Sequence, residues 1–399
     1  MKLLKSKSAF FLCAVLALFY FTNDFALIDI EKTAIVVAIG VDKSGEEYEV
    51  TAQIALPQAT DTASSNDDAV LTAKGRTVFE AIENVASKSG WHAKLSFCGL
   101  LIIGREVAEE SAADLIDYII SSEKFENSTL AVVSDTTAKE ILLATTPLDA
   151  ISSFALQKIV LKNEWMLAPV SVTNVKRFAV ASYSPSRAAY LPLIKIIKGD
   201  NKGKVNSSSS AVTASAGGGE SGESGSGESG DKTVIFDASS SALFKDGKLV
   251  ATIGSEESKI LNMLSSPVRE SYLTAEKDGV IYYFKMTCKD RAVKTFVENR
   301  PKVEYILDVT VRVTDATRSE PLDSPDNRFV LSEDLLAALR EKIERSVSSL
   351  DATVCDTDCD VLGVKDKMYK FHNGEYKKIK DLPLKEYSRS VKVSVSSED

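Results

Sequence analysis

The chain has 399 residues, 48 Lys and Arg against 57 Asp and Glu for a formal charge of −9, and 44% hydrophobic residues. That apolar share is normal for a folded chain, and with no basic tract after Lys2, Lys5 and Lys7 nucleic acid is not an expected partner. Two histidines, His92 and His372, and five scattered cysteines count against a multi-histidine metal centre, a histidine-based triad and a disulfide framework.

The lysines form a positive leader to the uncharged run Ala9 to Phe21, which addresses the chain to a secretory membrane with the lysines inside. The run is shorter than the roughly 20 apolar residues of a full span, yet no small-x-small cleavage pattern follows it. Residues 1–27 are therefore read as a signal or anchor segment, with the balance towards an uncleaved anchor. Cys13 sits where a lipid could be attached, but Phe10, Phe11 and Leu12 before it make a poor lipobox, and a buried apolar cysteine is the simpler reading.

Beyond the leader, an apolar strand reaches Asp42, Lys43-Ser44-Gly45-Glu46 turns, and Glu47 to Pro57 alternates as a half-buried strand. A polar loop is expected at Asp61 to Asp68. Thr77 and Glu80 then form a capping box on a helix from Val78 to Ser89, which Gly90 ends. The spacing further predicts a strand at Gly99 to Gly104, a helix at Val107 to Ile120, a strand at Thr129 to Ser134 and a helix at Thr136 to Ala144. Mixed α/β order of this kind describes a first domain over 28–199.

Residues 200–232 are rich in Gly, Ser and Glu, with nothing to bury, and read as an acidic tether or surface insertion. A second domain over 233–399, with room for a further division, follows. Its expected elements are strands at Thr233 to Phe244 and Lys248 to Ile253 about the turn Lys245-Asp246-Gly247, a helix at Glu256 to Leu264, and strands at Val280 to Thr287 and Val303 to Val313. A long helix capped by Ser332 and a last strand at Val391 to Val395 complete an α+β half.

Chemistry is sparse. His92 reads as a surface or packing residue in a loop, and His372, beside Asn373-Gly374, as part of a hairpin turn. Cys355-Asp356-Thr357-Asp358-Cys359-Asp360 is the one dense group of potential ligands. It fails as a calcium loop, because Val361 and Lys367 stand where Gly and Glu are required, and it lacks a second Cys or His pair for zinc. A solvated strand edge with unpaired Cys355 and Cys359 is the preferred reading. Gly225, Gly227 and Gly230 formally satisfy G-x-G-x-x-G but not between a strand and a helix, and no Walker, esterase or zinc-protease motif occurs, so no catalytic residue, metal ligand or cofactor is assigned.

Several blocks in order resemble the Ger(x)C spore germination proteins. They are Asp29 to Asp42 with the following strand, Gly75-Arg76-Thr77-Val78-Phe79-Glu80-Ala81-Ile82, Ser87-Lys88-Ser89-Gly90, Leu101 to Ala108, Ala242 to Val250, and Asp360-Val361-Leu362-Gly363. The resemblance implies an α+β protein of packed units without an active site. Its expected role is as the membrane-anchored third subunit of a nutrient germinant receptor, on the outer face of the spore inner membrane beside two integral-membrane subunits. It says nothing on whether this subunit touches nutrient. Members usually begin with a lipidated cysteine, whereas this chain has Asn23-Asp24-Phe25-Ala26-Leu27 in that place. The alternative from another class is an anchored extracytoplasmic enzyme or binding domain acting on a cell-wall polymer.

Overall fold

A computed structural model describes residues 10–18, 33–55, 68–90, 92–147, 149, 151–166, 172–198, 234–266, 270–277, 279–297, 300–317 and 331–398. Most of the expected leader, the 200–232 stretch, Trp91 and Leu56-Pro57 lie outside these residues. Residues 10–18 form a helical segment (α1) whose Phe10, Phe11 and Leu16 are exposed. Among the described residues, no helix is long and apolar enough to cross a membrane.

The first sheet has nine strands. It opens with β1 (Thr33–Ser44) and β2 (Glu47–Ala55), the expected hairpin, and β3 (Asp68–Gly75) extends its edge. The sequence pattern shows only a polar loop ahead of the capping box and does not announce β3. The next helix, α2 (Val78–Ser89), matches its predicted bounds, with Thr77 Oγ1 accepting the Glu80 N–H and left-handed Gly90 closing it. Glu80 reaches back one residue further than a standard box and accepts the Arg76 N–H at 2.8 Å.

Past α2 come β4 (His92–Lys94), β5 (Leu100–Ile103), α3 (Arg105–Ser121), β6 (Leu130–Ser134) and α4 (Ala138–Leu142). Then α5 (Ser152–Met166), α6 (Val175–Ser182) and β7 (Ala188–Lys198) fill a region to which the sequence pattern assigns no elements. β1, β5, β6 and β7 run parallel, and their neighbours alternate between two cores. Leu101, Ile103, Ala131 and Val133 join the core under α2, α3 and α6, while Leu100, Ile102 and Val132 join the core under α4 and α5. Helices on both faces explain why these strands read as unbroken apolar runs.

The sheet does not end at β7. β8 (Val234–Lys245) pairs antiparallel with β7, and β9 (Lys248–Ile253) pairs with β8, so the 200–232 stretch joins adjacent strands of one sheet. Leu243 and Ile253 pass to a third core with Ile260, Leu261 and Met263 of α7 (Ser255–Ser265).

That third core belongs to a four-stranded sheet of β10 (Ser271–Lys277), β11 (Val280–Val297), β12 (Pro301–Ala316) and β13 (Ser388–Ser397). β10 has no counterpart among the expected strands, and β11 runs ten residues past the predicted end at Thr287. Leu335, Leu339, Ile343, Val347, Leu350 and Val354 of α8 (Glu333–Asp356), which Ser332 caps as predicted, pack against Phe284, Tyr305, Leu307 and Val309. β13 lies parallel to β12, and the connection such a pairing requires is made by α8, α9 (Val364–Phe371) and α10 (Asn373–Ile379). The α+β class is thus seen in both sheets.

Candidate functional site

A network of polar groups lies where the two sheets meet, on the turn that follows α8. Asp358 takes a left-handed conformation (φ 50°) that a short polar side chain tolerates. Its carboxylate accepts the Leu384 N–H at 2.7 Å and pairs with Lys245 Nζ at 2.8 Å, across to β8. Burial works to raise the Asp358 pKa, but Lys245 and the Leu384 amide outweigh it and hold the carboxyl below its ordinary value. Beside it, the buried Cys359 thiol donates to the Phe244 carbonyl.

Asp360 is the pivot. It is 1% exposed, and its carboxylate accepts the Val364 N–H at 2.8 Å, the Lys365 N–H at 2.6 Å and the Ser186 hydroxyl at 2.6 Å. The first two satisfy orphan amides of α9, and the third reaches the loop between α6 and β7. Ser186 also donates its N–H to Asp366 at 2.8 Å. Burial pushes the Asp360 pKa up to about 6, against the lowering effect of its three donors.

Asp42, at the end of β1, makes a similar joint inside the first sheet. It accepts the Ala138 N–H at 2.7 Å and the Lys139 N–H at 2.9 Å, fixing the start of α4. Burial raises its pKa despite those bonds. Gly104 lies so close that a Cβ would overlap the Asp42 carboxylate. Likewise Gly247 (φ 77°) turns β8 into β9 with no room for a Cβ beside Ala113, and its carbonyl accepts the Ala112 N–H that non-helical Ser111 frees within α3.

Several residues of the resemblance blocks therefore act as joints: Asp42, Gly104, Gly247 and Asp360. Of the residues that the sequence picks out for possible chemistry, the Cys355–Asp360 group is not a solvated strand edge. Cys355 and Asp356 end α8, and Cys359 and Asp360 are buried because their polar atoms find partners across the junction. All five cysteines are free, and burial raises the Cys355 pKa to about 11. His372 is not in a hairpin turn: it separates α9 from α10 and donates its N–H to Met368 O. His92 is at the surface but not in a loop: it begins β4, paired with Thr33 of β1. Cys13 is exposed on α1.

Lys245 is legible in the sequence only as part of a turn, not as the partner of Asp358. Ser186 and Asp366 carry no signal there. Nor does a second network, Tyr305–Asp351–Arg389. Asp351 accepts the Tyr305 hydroxyl at 2.6 Å and pairs with Arg389 at 2.8 Å, clamping α8 to β12 and β13. On one side of the junction a cleft of about 520 Å³ opens between α6, β7, the end of α7, β11, the 360–363 turn and the start of α9. Among the described residues, no group of three or more His, Cys, Asp or Glu side chains is placed to hold a metal.

Both halves of the chain have counterparts among known proteins. Residues 27–196 match the family described as spore germination protein N-terminal domain, and residues 239–398 match spore germination B3/GerAC like, C-terminal. The spore germination protein KC of Bacillus subtilis (strain 168) is 22% identical over 390 residues, spanning 93% of this chain and 89% of that protein. The crystal structure of the GerBC protein aligns with a TM-score of 0.51 at 14% identity, covering 91% of this chain and 97% of that one. This last likeness supports the α+β fold.

Proposed function

The chain belongs to the Ger(x)C family of spore germination proteins, and on that premise we propose that it is the non-catalytic, membrane-anchored subunit of a nutrient germinant receptor. In this reading residues 1–27 hold it at the membrane, the folded part lies on the outer face of the spore inner membrane, and two integral-membrane subunits are its partners. The observation that carries the reading is the succession of the two family matches, in order, over most of the chain.

The geometry supports a scaffold. The conspicuous buried carboxylates, Asp42 and Asp360, are bonded to backbone amides, which is work done for the fold and leaves them poorly placed to act on a substrate. Deleting the reading frame should abolish germination on one nutrient set and spare germination triggered by agents that bypass receptors. Unchanged germination on every nutrient, in a strain also lacking paralogues, would refute the proposal.

A further inference from the structure

The cleft at the junction has an electrostatic composition that the fold itself does not use. Arg177 reaches it from α6, Arg291 from β11 and Lys367 from α9. Among the described residues none of these cations has a carboxylate within ion-pairing distance, whereas other basic side chains such as Lys245, Arg105 and Arg389 do. Arg177 spends two N–H groups on the Val172 carbonyl and the Ser266 hydroxyl at 3.2 and 3.4 Å, and Lys367 donates to the Leu362 carbonyl at 3.1 Å.

The cleft's two carboxylates, Asp360 and Asp366, offset these three cations only in part, and neither is ion-paired with one of them. Asp360 is saturated by Ser186, Val364 and Lys365, and Asp366 accepts the Ser186 N–H. Burial lowers the Lys367 pKa even though Asp360 and Asp366 act to raise it, so this ammonium is held partly desolvated without a bonded counterion. The rest of the wall includes Tyr190, Leu264 and Val293. Three cations from three elements, over an aromatic and aliphatic wall in a cleft of ligand size, make a built concavity for a compact negative charge with an apolar body.

The geometry points to this cleft as a binding site for a small organic oxyanion, with its carboxylate or phosphate head on Arg177, Arg291 and Lys367 and its apolar portion against Tyr190 and Leu264. Guanidinium groups offer paired donors to such heads, which an ammonium alone does not. Because the walls come from both sheets, an occupied cleft also bridges them.

The test is calorimetric titration of the detergent-solubilised full chain with benzoate, phenyl phosphate and neutral benzamide at low ionic strength. Saturable binding of at least one anion and none of benzamide is expected. Arg177→Gln and Arg291→Gln should each weaken the anion about tenfold, the scale of one charged hydrogen bond. Lys176→Gln, an exposed neighbour on α6, should leave it unchanged. Arg177 is itself exposed, so its variant keeps the test open if the other disturbs folding. No binding of either anion, equal binding of benzamide, or binding indifferent to both arginine variants overturns the assignment.

Discussion

The two sheets solve burial in different ways. In the first, helices cover both faces of the parallel strands, so Leu100-Leu101-Ile102-Ile103 is buried at every position and its side chains go alternately to separate cores. In the second, α7 and α8 cover one face, and the other is left to residues such as Tyr272, Ile281 and Tyr283, each more than a third exposed. Position along the strand is therefore almost irrelevant to tolerance of change in β5 and β6, the central strands of the first sheet, and decisive in the second sheet.

The sharpest way to break that contrast uses one chemistry at two places. Ile102→Ala should destabilise by about 2–5 kcal/mol, since it empties volume in a closed core. Ile281→Ala, on the open face of β11, should change stability by no more than about 0.5 kcal/mol. Thermal unfolding of the purified chain measures both, and equal losses would mean that the second sheet's outer face is covered.

The joints come next. Gly104→Ala should cost about 1–3 kcal/mol by forcing the Asp42 carboxylate off the amides of α4. Asp360→Asn should cost a similar amount, about 1–3 kcal/mol, because it disturbs a buried acceptor with three donors. Its signature is the pH dependence. The folded pKa of Asp360, about 6, lies above its ordinary 3.8, so the folded chain keeps this proton longer than the unfolded one. The stability linked to that proton is full below 3.8 and is lost as pH rises through about 6. Asn, which cannot ionise, should therefore close the gap to the wild type progressively across that window in pH-resolved melting. A constant gap would mean that Asp360 is ionised throughout.

Smallest of all is Lys245→Met. The Lys245–Asp358 pair is partly solvated, so its loss should reduce stability by up to about 1 kcal/mol, and the effect should shrink in high salt.

The same contrast governs how much of the fold is legible in the sequence. α2 and α8 carry full signals, a capping residue and an apolar face, and their predicted and observed positions agree closely. β3 escapes because Ala69-Val70-Leu71-Thr72-Ala73 is short and borders a polar stretch. β10 escapes because Tyr272 and Thr274 soften its alternation. The turn at His372-Asn373-Gly374 carries residues that favour hairpins, yet α9 and α10 continue there because Met368 is buried in the third core with Tyr376 and Ile379 packed against it.

The junction is the least legible part. Asp360 touches Ser186 across 174 positions of sequence, and no local pattern announces such a pairing. The closing of the first sheet by β8 and β9 is equally hidden, since a Gly-Ser-Glu stretch reads as a boundary wherever it falls. What the sequence does expose are the residues that the joints require, as blocks whose individual purpose only the packing explains.

The most direct measurement of the receptor-subunit proposal is affinity purification of the tagged full chain from cross-linked spore inner membranes, followed by mass spectrometry. Two integral-membrane proteins recovered in constant proportion to the chain, and lost when the strain lacks either one's gene, are the expected result. Recovery of the chain alone, or from the soluble fraction, would contradict it.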